Sequence, residues 1–157
     1  MISRLTFKRS GLLVGTLYAL LFPALSNAQS PCVHATDDGG NRRSVPVSLG
    51  SALHLNFIHS IYASQVEEIF LIRANGFELT QLRYGEARLV DFYGHEAARR
   101  DNGMWIVTPA PAFLPALHLN LSVDALMSVR AGDQKITLPP AAAYRVTVGD
   151  CNDHGHD

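Results

Sequence analysis

The sequence has no cluster of basic residues, and this absence argues against two classes of partner. Nucleic acids and anionic membrane surfaces are bound through grouped lysine and arginine side chains. The chain of 157 residues carries 13 basic and 14 acidic residues. Three of the basic residues and none of the acidic ones lie in the first 28 positions, so the remainder has ten against 14, a formal net charge of −4. We therefore expect no nucleic-acid partner.

The chain also lacks an apolar run long enough for a typical membrane-spanning helix. Its apolar run covers residues 11–25, about 15 residues, whereas a bilayer-spanning helix needs roughly 20. Basic residues precede this run, and Ser26 and Ala28 then place small residues at the positions that a signal peptidase reads. We predict a signal peptide over residues 1–28, with an uncleaved anchor as the alternative. The mature protein would then be periplasmic or secreted, with no membrane span.

Cysteine is scarce, and its placement is informative. The only two cysteines are Cys32 and Cys151, close to the two ends of the mature chain. In an exported protein such a pair indicates a disulfide. A bond closing a loop of this length would stabilise the fold by up to about 4–5 kcal/mol in the chain-entropy model. Two free thiols or a metal-binding pair are the alternatives.

No segment of useful length after residue 29 has helical periodicity, and no repeat of fixed period is present. Short alternating runs separated by turn residues predict an all-β protein: an antiparallel sandwich or a partly closed barrel of about nine short strands. The predicted organisation is a signal peptide (1–28), a polar N-terminal segment (29–44), a single all-β domain (45–150) and a disordered tail (151–157).

Three local details of this prediction depend on turn and strand chemistry. Asn75-Gly76 predicts a type I′ hairpin turn, since that dipeptide accepts positive φ angles. Residues 87–93 are predicted as a strand. The predicted core consists of ten alternating apolar positions: Leu55, Phe57, Phe70, Ile72, Leu79, Trp105, Leu119, Leu121, Ile136 and Val146.

The stretch from Leu53 to Ile72 carries the polar residues that matter most. His59 lies in phase with the apolar residues of the first run, and Glu68 lies in phase with those of the second. Side chains two residues apart on a strand share a face. An antiparallel hairpin with Phe57 opposite Phe70 would place His59 opposite Glu68. We therefore predict an imidazole–carboxylate pair at the end of an apolar row.

Residues 57–68, FIHSIYASQVEE, resemble the signature of the domain of unknown function 1850 family, which His59, Ser60, Val66 and Glu68 match. The similarity covers roughly residues 52–139. It departs from the family where a proline is replaced by Gln65 and a second glycine by Ala87, and the extensions carrying the two cysteines lie outside it. The resemblance implies an exported protein encoded beside a TRAP-type, TAXI-class transporter permease, with that permease or its solute-binding protein as a possible partner. It implies no established activity.

Three interpretations of the predicted site remain open. First, His59 and Glu68 form a structural pair that fixes strand register. Second, the site binds a polar ligand or a charged residue of a partner. Arg83 would then complete a row across three strands, unless a bulge between Leu79 and Leu82 turns Tyr84 inward instead. The binding residues of this interpretation are His59, Ser60, Glu68, Arg83, Tyr84 and Gly85.

The third interpretation, a hydrolase, has the least support. Ser60 directly follows His59 on a strand, so the two side chains would point to opposite faces. No G-x-S-x-G nucleophile motif occurs, and no spacing indicates a metal site or a cofactor. We therefore predict an exported accessory or interaction protein, with a small-molecule binding module as the alternative and an enzyme as the least favoured class.

Overall fold

A computed structural model describes residues 30–152, which form two antiparallel β-sheets and one short helix. The small sheet contains four strands: β1 (Pro31–Asp37), β2 (Arg42–Pro46), β9 (Leu117–Leu121) and β12 (Ala142–Asp150). The large sheet contains eight: β3 (Ala52–His59), β4 (Ser64–Arg73), β5 (Gly76–Tyr84), β6 (Arg99–Asp101), β7 (Met104–Val107), β8 (Ala112–Leu114), β10 (Met127–Ala131) and β11 (Gln134–Thr137). The helix α1 spans Ala87–Phe92.

The strand order is β2-β1-β12-β9 in the small sheet and β11-β10-β3-β4-β5-β7-β6 in the large one. The outer edge of β5 is shared, because β7 pairs with its last residues and β8 with its first. Within residues 30–152 neither sheet closes on itself. The prediction of an all-β fold of antiparallel sheets is confirmed, and the described residues form a sandwich-like arrangement with no closed barrel.

The main core lies between the two sheets and follows the period-two alternation of their strands. Leu53 and Leu55 of β3 face Leu119 and Leu121 of β9 and Val146 of β12 in one buried cluster. Of the ten predicted core residues, seven are buried in this layer, namely Leu55, Phe70, Ile72, Leu119, Leu121, Ile136 and Val146. The other three, Phe57, Leu79 and Trp105, are partly buried and pack against the cores.

A second, smaller core fills the part of the large sheet that the small sheet does not cover. Leu89 and Val90 of α1 pack there on Val66, Leu82 and Tyr84 of the large sheet. The prediction of a strand over residues 87–93 is wrong. The adjacent apolar pair at 89 and 90 fits one face of a helical turn but would point to opposite faces of a strand.

The prediction of a polar segment outside the domain over residues 29–44 is also wrong. Strand β1 begins at Pro31 and pairs on one edge with β12 and on the other with β2. Its residues Val33 and Ala35 are fully buried in the main core. The strand pattern of β1 is difficult to recognise in the sequence, because its apolar stretch is short and is followed by the polar turn between β1 and β2.

The hairpin between β4 and β5 is confirmed, but its turn differs from the prediction. Arg73 pairs with Gly76, so the two loop residues are Ala74 and Asn75. Neither has a positive φ, which excludes a type I′ turn. Gly76 instead begins β5, where a Cβ atom would lie 2.4 Å from the carbonyl oxygen of Leu114. The glycine is needed for this close approach of β8.

The disulfide between Cys32 and Cys151 is confirmed, with an S–S distance of 2.02 Å. It ties the beginning of β1 to the residue that follows β12. The predicted signal peptide (1–28) and most of the predicted tail (153–157) lie outside the described residues. Among residues 30–152 we find no helix long and apolar enough to span a bilayer.

Candidate functional site

The predicted pairing of His59 with Glu68 is wrong, although both side chains lie on the predicted inner face. His59 pairs with Ser64 across a loop of four residues, and Glu68 pairs with Leu55. The shorter loop is closed by Ala63, whose φ is 49°. The alternation of apolar and polar residues assigns each side chain to one face of the sheet. It does not determine which residue of the neighbouring strand is its cross-strand partner. A short loop costs less closure entropy and allows more residues to pair. The register with the four-residue loop is therefore favoured over the predicted one.

A bulge decides which residue of β5 faces the site. Ile69 pairs with Gln81 and Phe70 with Leu79, so Thr80 is the extra residue. The bulge turns Tyr84 inward, opposite Val66, and Arg83 outward. The predicted row of His59, Glu68 and Arg83 therefore does not form, and the alternative with Tyr84 on the inner face is confirmed.

Gly85 and the loop after His59 converge as expected. The Gly85 amide donates a hydrogen bond to the Gln65 carbonyl at 2.9 Å. A Cβ atom on Gly85 would lie 2.7 Å from Ser64 Oγ, so the absence of a side chain allows this contact. Ser60 is exposed in the loop and does not join the inner-face residues.

His59 lies inside a group of aromatic side chains that we call the aromatic cluster: His59, Tyr62, Tyr84, Phe92, Tyr93 and His95. The His59 ring centroid is 5.3 Å from that of Tyr62, 5.0 Å from Phe92 and 5.8 Å from Tyr93. His59 is only 8% exposed, and its Nδ1 atom has no hydrogen-bond partner in the described part of the chain. Phe92 and Tyr93 remain 49% and 43% exposed. About half of the surface of these two side chains therefore faces solvent, while His59 and Tyr84 are buried.

Tyr84 connects the aromatic cluster to the inner face of the large sheet. Its ring stacks on Tyr93 at 5.4 Å, and its hydroxyl forms a hydrogen bond of 2.8 Å with His95 Nε2. Burial, with smaller contributions from the charges of Tyr93 and Glu68, raises the pKa of Tyr84 well above its usual value. Tyr84 is therefore a neutral hydroxyl at physiological pH.

Glu68 is an acidic residue on the inner face, at the boundary between the two cores. Its neighbours Leu55 and Phe70 belong to the main core, and Val66 and Leu82 belong to the smaller one. Burial raises the pKa of its carboxyl group above the ordinary value of 4.5. The side chain is only half-buried, and the Glu68 oxygens are not among the buried polar atoms that lack a partner within residues 30–152, so water still reaches the carboxylate.

The influence of Glu68 extends to both stacked tyrosines. Burial, and after it the charge of Glu68, raises the pKa of the Tyr93 hydroxyl as well. The strand register agrees with this, because Glu68 pairs with Leu82 and Tyr84 pairs with Val66, so Glu68 and Tyr84 are diagonal neighbours on the inner face.

Sequence reasoning missed a hydrogen-bonded triad of His54, Glu67 and Arg83 on the outer face of the same strands. His54 Nδ1 donates to Glu67 Oε1 at 2.7 Å, and Arg83 Nη1 donates to Glu67 Oε2 at 2.9 Å. These residues form the row across β3, β4 and β5 that was predicted for the inner face. The outer-face position of His54 and Glu67 could be read from the sequence, since each immediately precedes an inner-face residue. Their contact could not, because it depends on the strand register.

The arrangement offers little support for catalysis or metal binding. The hydroxyl of Ser60 is in an exposed loop, and Ser64, opposite His59, forms no hydrogen bond to its free Nδ1 atom. Within the described residues no group of three or more histidine, cysteine, aspartate and glutamate side chains is arranged to hold a metal ion. What the site contains is partly exposed aromatic surface and a half-buried carboxylate.

A separate groove of about 560 Å³ opens near the end of β3. Phe57, Met127 and Leu138 line its floor, and the exposed side chains of Val123 and Leu126 form one wall. Lys135 and Asp124 are its charged residues. The groove is mostly apolar and differs in chemistry from the aromatic cluster.

Comparison with known proteins adds no relative. No family model matches the chain, no curated protein matches it, and no solved structure matches its fold. The resemblance to the domain of unknown function 1850 family therefore stays a prediction that rests on the residues around His59 and Glu68.

Proposed function

We propose that the protein is a non-catalytic recognition protein that works outside the cytoplasm. The observation that carries this proposal is the exposure of Phe92 and Tyr93, at 49% and 43%, on a sheet whose inner face also bears the half-buried carboxylate of Glu68. Exposed aromatic rings and a carboxylate on an apolar face both cost stability, so folding alone does not explain them. Residues of this kind concentrate at binding sites.

The aromatic cluster supplies the contact surface for such recognition. Aromatic side chains contribute most to interface energies because they bury large areas and lose little conformational entropy. The rings of Phe92 and Tyr93 are exposed to solvent. They pack against the buried rings of His59 and Tyr84. A partner that covers these rings would also remove the remaining water from Glu68.

The biological context that we propose comes from the resemblance near His59. This resemblance supports a role as a periplasmic or secreted accessory of a TRAP-type solute uptake system, in contact with the permease or with its solute-binding protein. The disulfide is consistent with an oxidising compartment. The predicted signal peptide gives the same location.

Affinity capture from the native cell envelope tests this function. The tagged chain should retain a transporter component, and Phe92→Ala should reduce capture about tenfold, as expected for a central aromatic contact. Phe113→Ala is the matched control, because Phe113 has the same 49% exposure as Phe92 but lies on β8. Equal capture by both variants would contradict the aromatic cluster as the contact surface.

The groove beside Phe57 favours a second candidate function, a small-molecule binding module. Its volume of about 560 Å³ lies in the range of ligand pockets, roughly 300–1,000 Å³. Leu126→Asp should weaken binding of an apolar fluorescent dye, because Leu126 lines the groove and is 76% exposed. Leu49→Asp, at a 53% exposed position outside the groove lining, is the control with the same charge change. Equal dye binding by both variants would exclude the groove as the dye site.

A further inference from the structure

We propose that the groove beside Phe57 binds a free amphipathic carboxylate, with the apolar tail on the groove floor and the carboxylate against Lys135 and Arg130. This inference rests on the second candidate function, a small-molecule binding module, and specifies the chemical class of its ligand. It is independent of the aromatic cluster, because none of the six residues of that cluster lines the groove.

The apolar part of the ligand follows from the floor and the wall of the groove. Phe57 and Met127 are cross-strand partners on β3 and β10, and both are only partly buried. Val123 and Leu126 on the wall are 79% and 76% exposed, the highest values among large apolar side chains within residues 30–152. Removing such surface from water is favourable in proportion to its area. The groove volume of about 560 Å³ leaves room for a hydrocarbon tail beside these side chains.

A pair of like charges determines the charge of the ligand. Lys135 lines the groove, and its cross-strand partner on β10 is Arg130. Directly opposed like charges destabilise a sheet. Both side chains are exposed, and in the described part of the chain neither forms an ion pair. A carboxylate placed between them would relieve this repulsion through charge-assisted hydrogen bonds.

The nearby acidic residues do not neutralise this pair. Asp124 lines the groove on its wall, where its carboxylate accepts a hydrogen bond of 2.8 Å from the Ser122 hydroxyl, which holds its pKa below the usual value. Asp133, in the hairpin turn before Lys135, lines a different cavity. Glu67, on the outer face of β4, already accepts hydrogen bonds from two other side chains. Asp124 therefore repels a ligand carboxylate from the wall toward the two cations.

Calorimetric titration of the exported, disulfide-bonded chain with sodium octanoate tests the inference. Octylammonium and 1-octanol carry the same tail with a positive or a neutral head, and acetate carries the carboxylate without the tail. The expected result is saturable binding of octanoate, about tenfold weaker binding of octanol, still weaker binding of octylammonium, and no saturable binding of acetate. Absence of saturable octanoate binding overturns the inference, and so does binding of any of the other three as tightly as octanoate.

Removing single charges tests the contact with the carboxylate. Lys135→Gln should weaken octanoate binding about tenfold and leave octanol binding unchanged, and Arg130→Gln should weaken octanoate binding several-fold. Arg145→Gln is the matched control, because Arg145 is an exposed arginine on β12 outside the groove lining. Unchanged octanoate affinity in Lys135→Gln, with its fold intact by circular dichroism, overturns the placement of the carboxylate.

A second pair of variants tests the contact with the tail. Leu126→Ala should weaken the binding of octanoate and of octanol to the same extent, about three- to tenfold, because both tails lose the same apolar contact. Leu49→Ala shortens a 53% exposed leucine outside the groove lining and should have no effect. If Leu126→Ala binds both compounds like the wild type, the tail lies elsewhere and the groove is not the site.

The scarcity of lysine allows the contact to be measured at a single atom. Lys8 and Lys135 are the only lysines of the chain, and Lys8 lies in the predicted signal peptide. Acetylation of Lys135 Nζ, followed by mass spectrometry, should slow several-fold at saturating octanoate, since a neighbouring carboxylate favours the charged, unreactive form of the amine. The N-terminal amino group is the reference and should react at an unchanged rate. Equal rates at Lys135 with and without octanoate overturn the contact.

These results separate the inference from the function on which it rests. Dye binding that depends on Leu126, combined with equal affinities for octanoate and octylammonium, overturns the carboxylate ligand and leaves the groove as a small-molecule site. Absence of both dye binding and octanoate binding overturns both. Octanoate binding that depends on Lys135 supports the inference whether or not a transporter component is captured through Phe92.

Discussion

Two adjacent glutamates on β4 show how strongly the face of a sheet determines the role of a residue. Glu67 points to the outer face and accepts hydrogen bonds from His54 and Arg83. Glu68 points to the inner face, where burial raises the pKa of its carboxyl group. The same substitution at these two positions should therefore change stability in opposite directions.

Glu67→Gln should destabilise the protein by about 1–3 kcal/mol. The amide has one acceptor oxygen in place of two, so it cannot accept from both His54 and Arg83 through separate oxygens, and Arg83 would be left partly buried without its counter-charge. Chemical denaturation at neutral pH measures the effect. A change of less than about 0.5 kcal/mol, as for an ordinary surface site, would contradict a structural role for the triad.

Glu68→Gln should stabilise the protein at neutral pH by about 1 kcal/mol, at the low end of the cost of an unpaired buried polar group. Because the folded-state pKa of Glu68 is raised, the protonated carboxyl favours folding. That contribution is fully present below the ordinary value of 4.5 and is lost as the pH rises through the raised value. The difference between the variant and the wild type should therefore be near zero in acid and grow toward neutral pH.

Denaturation of both chains at about pH 3.5 and about pH 7.5 measures this difference, in which the titration of the other groups cancels. A variant that is less stable than the wild type at neutral pH would mean that Glu68 has a hydrogen-bond donor in solution. A gain in stability combined with a loss of partner capture from the cell envelope would identify Glu68 as a residue kept for binding at the expense of stability.

At the scale of elements, alternation made the faces of the strands predictable but left their pairing open. His59 and Glu68 were correctly assigned to the inner face, yet their partners are Ser64 and Leu55. The bulge at Thr80 was visible as a switch in apolar parity. Helix α1 was not, because six residues give too short a pattern to distinguish a helical turn from a strand. The aromatic cluster depends on this helix, so it could not be predicted.

Gly76→Ala should destabilise the hairpin between β4 and β5 by about 2–3 kcal/mol. The new Cβ atom would lie 2.4 Å from the Leu114 carbonyl oxygen and 2.9 Å from Pro115 Cα, so the backbone of β8 has to move. Thermal and chemical denaturation measure the loss, and amide exchange should increase first in β8.

Gly132→Ala provides the control for this substitution. Gly132 has a positive φ of 56° in the hairpin between β10 and β11, but no atom lies within 4 Å of its Cβ position. Only backbone strain applies there, with a cost of about 1–2 kcal/mol. If Gly76→Ala costs no more than Gly132→Ala, the approach of β8 does not require the glycine.

At the scale of the whole molecule, the two sheets differ in how they are closed. Neighbouring strands of the large sheet from β3 to β5 are joined by short loops. The small sheet instead pairs β1 with β12, at opposite ends of the described chain. Contacts of high sequence separation carry a large closure entropy. The disulfide spans 119 residues and joins the ends of these two strands. We therefore expect it to stabilise mainly the small sheet.

Replacing Cys32 and Cys151 together with serine should therefore lower the free energy of unfolding by about 3–5 kcal/mol, the upper figure being that of the chain-entropy model. Hydrogen exchange should show the loss unevenly, since the small sheet depends on the closure of the long loop. Amides of β1 and β12 should lose protection before those of β4 and β5. Adding a reductant should destabilise the wild type to the same extent and leave the double variant unchanged. Uniform loss of protection in both sheets would mean that the sandwich opens as one cooperative unit, in which the disulfide stabilises the large sheet as much as the small one.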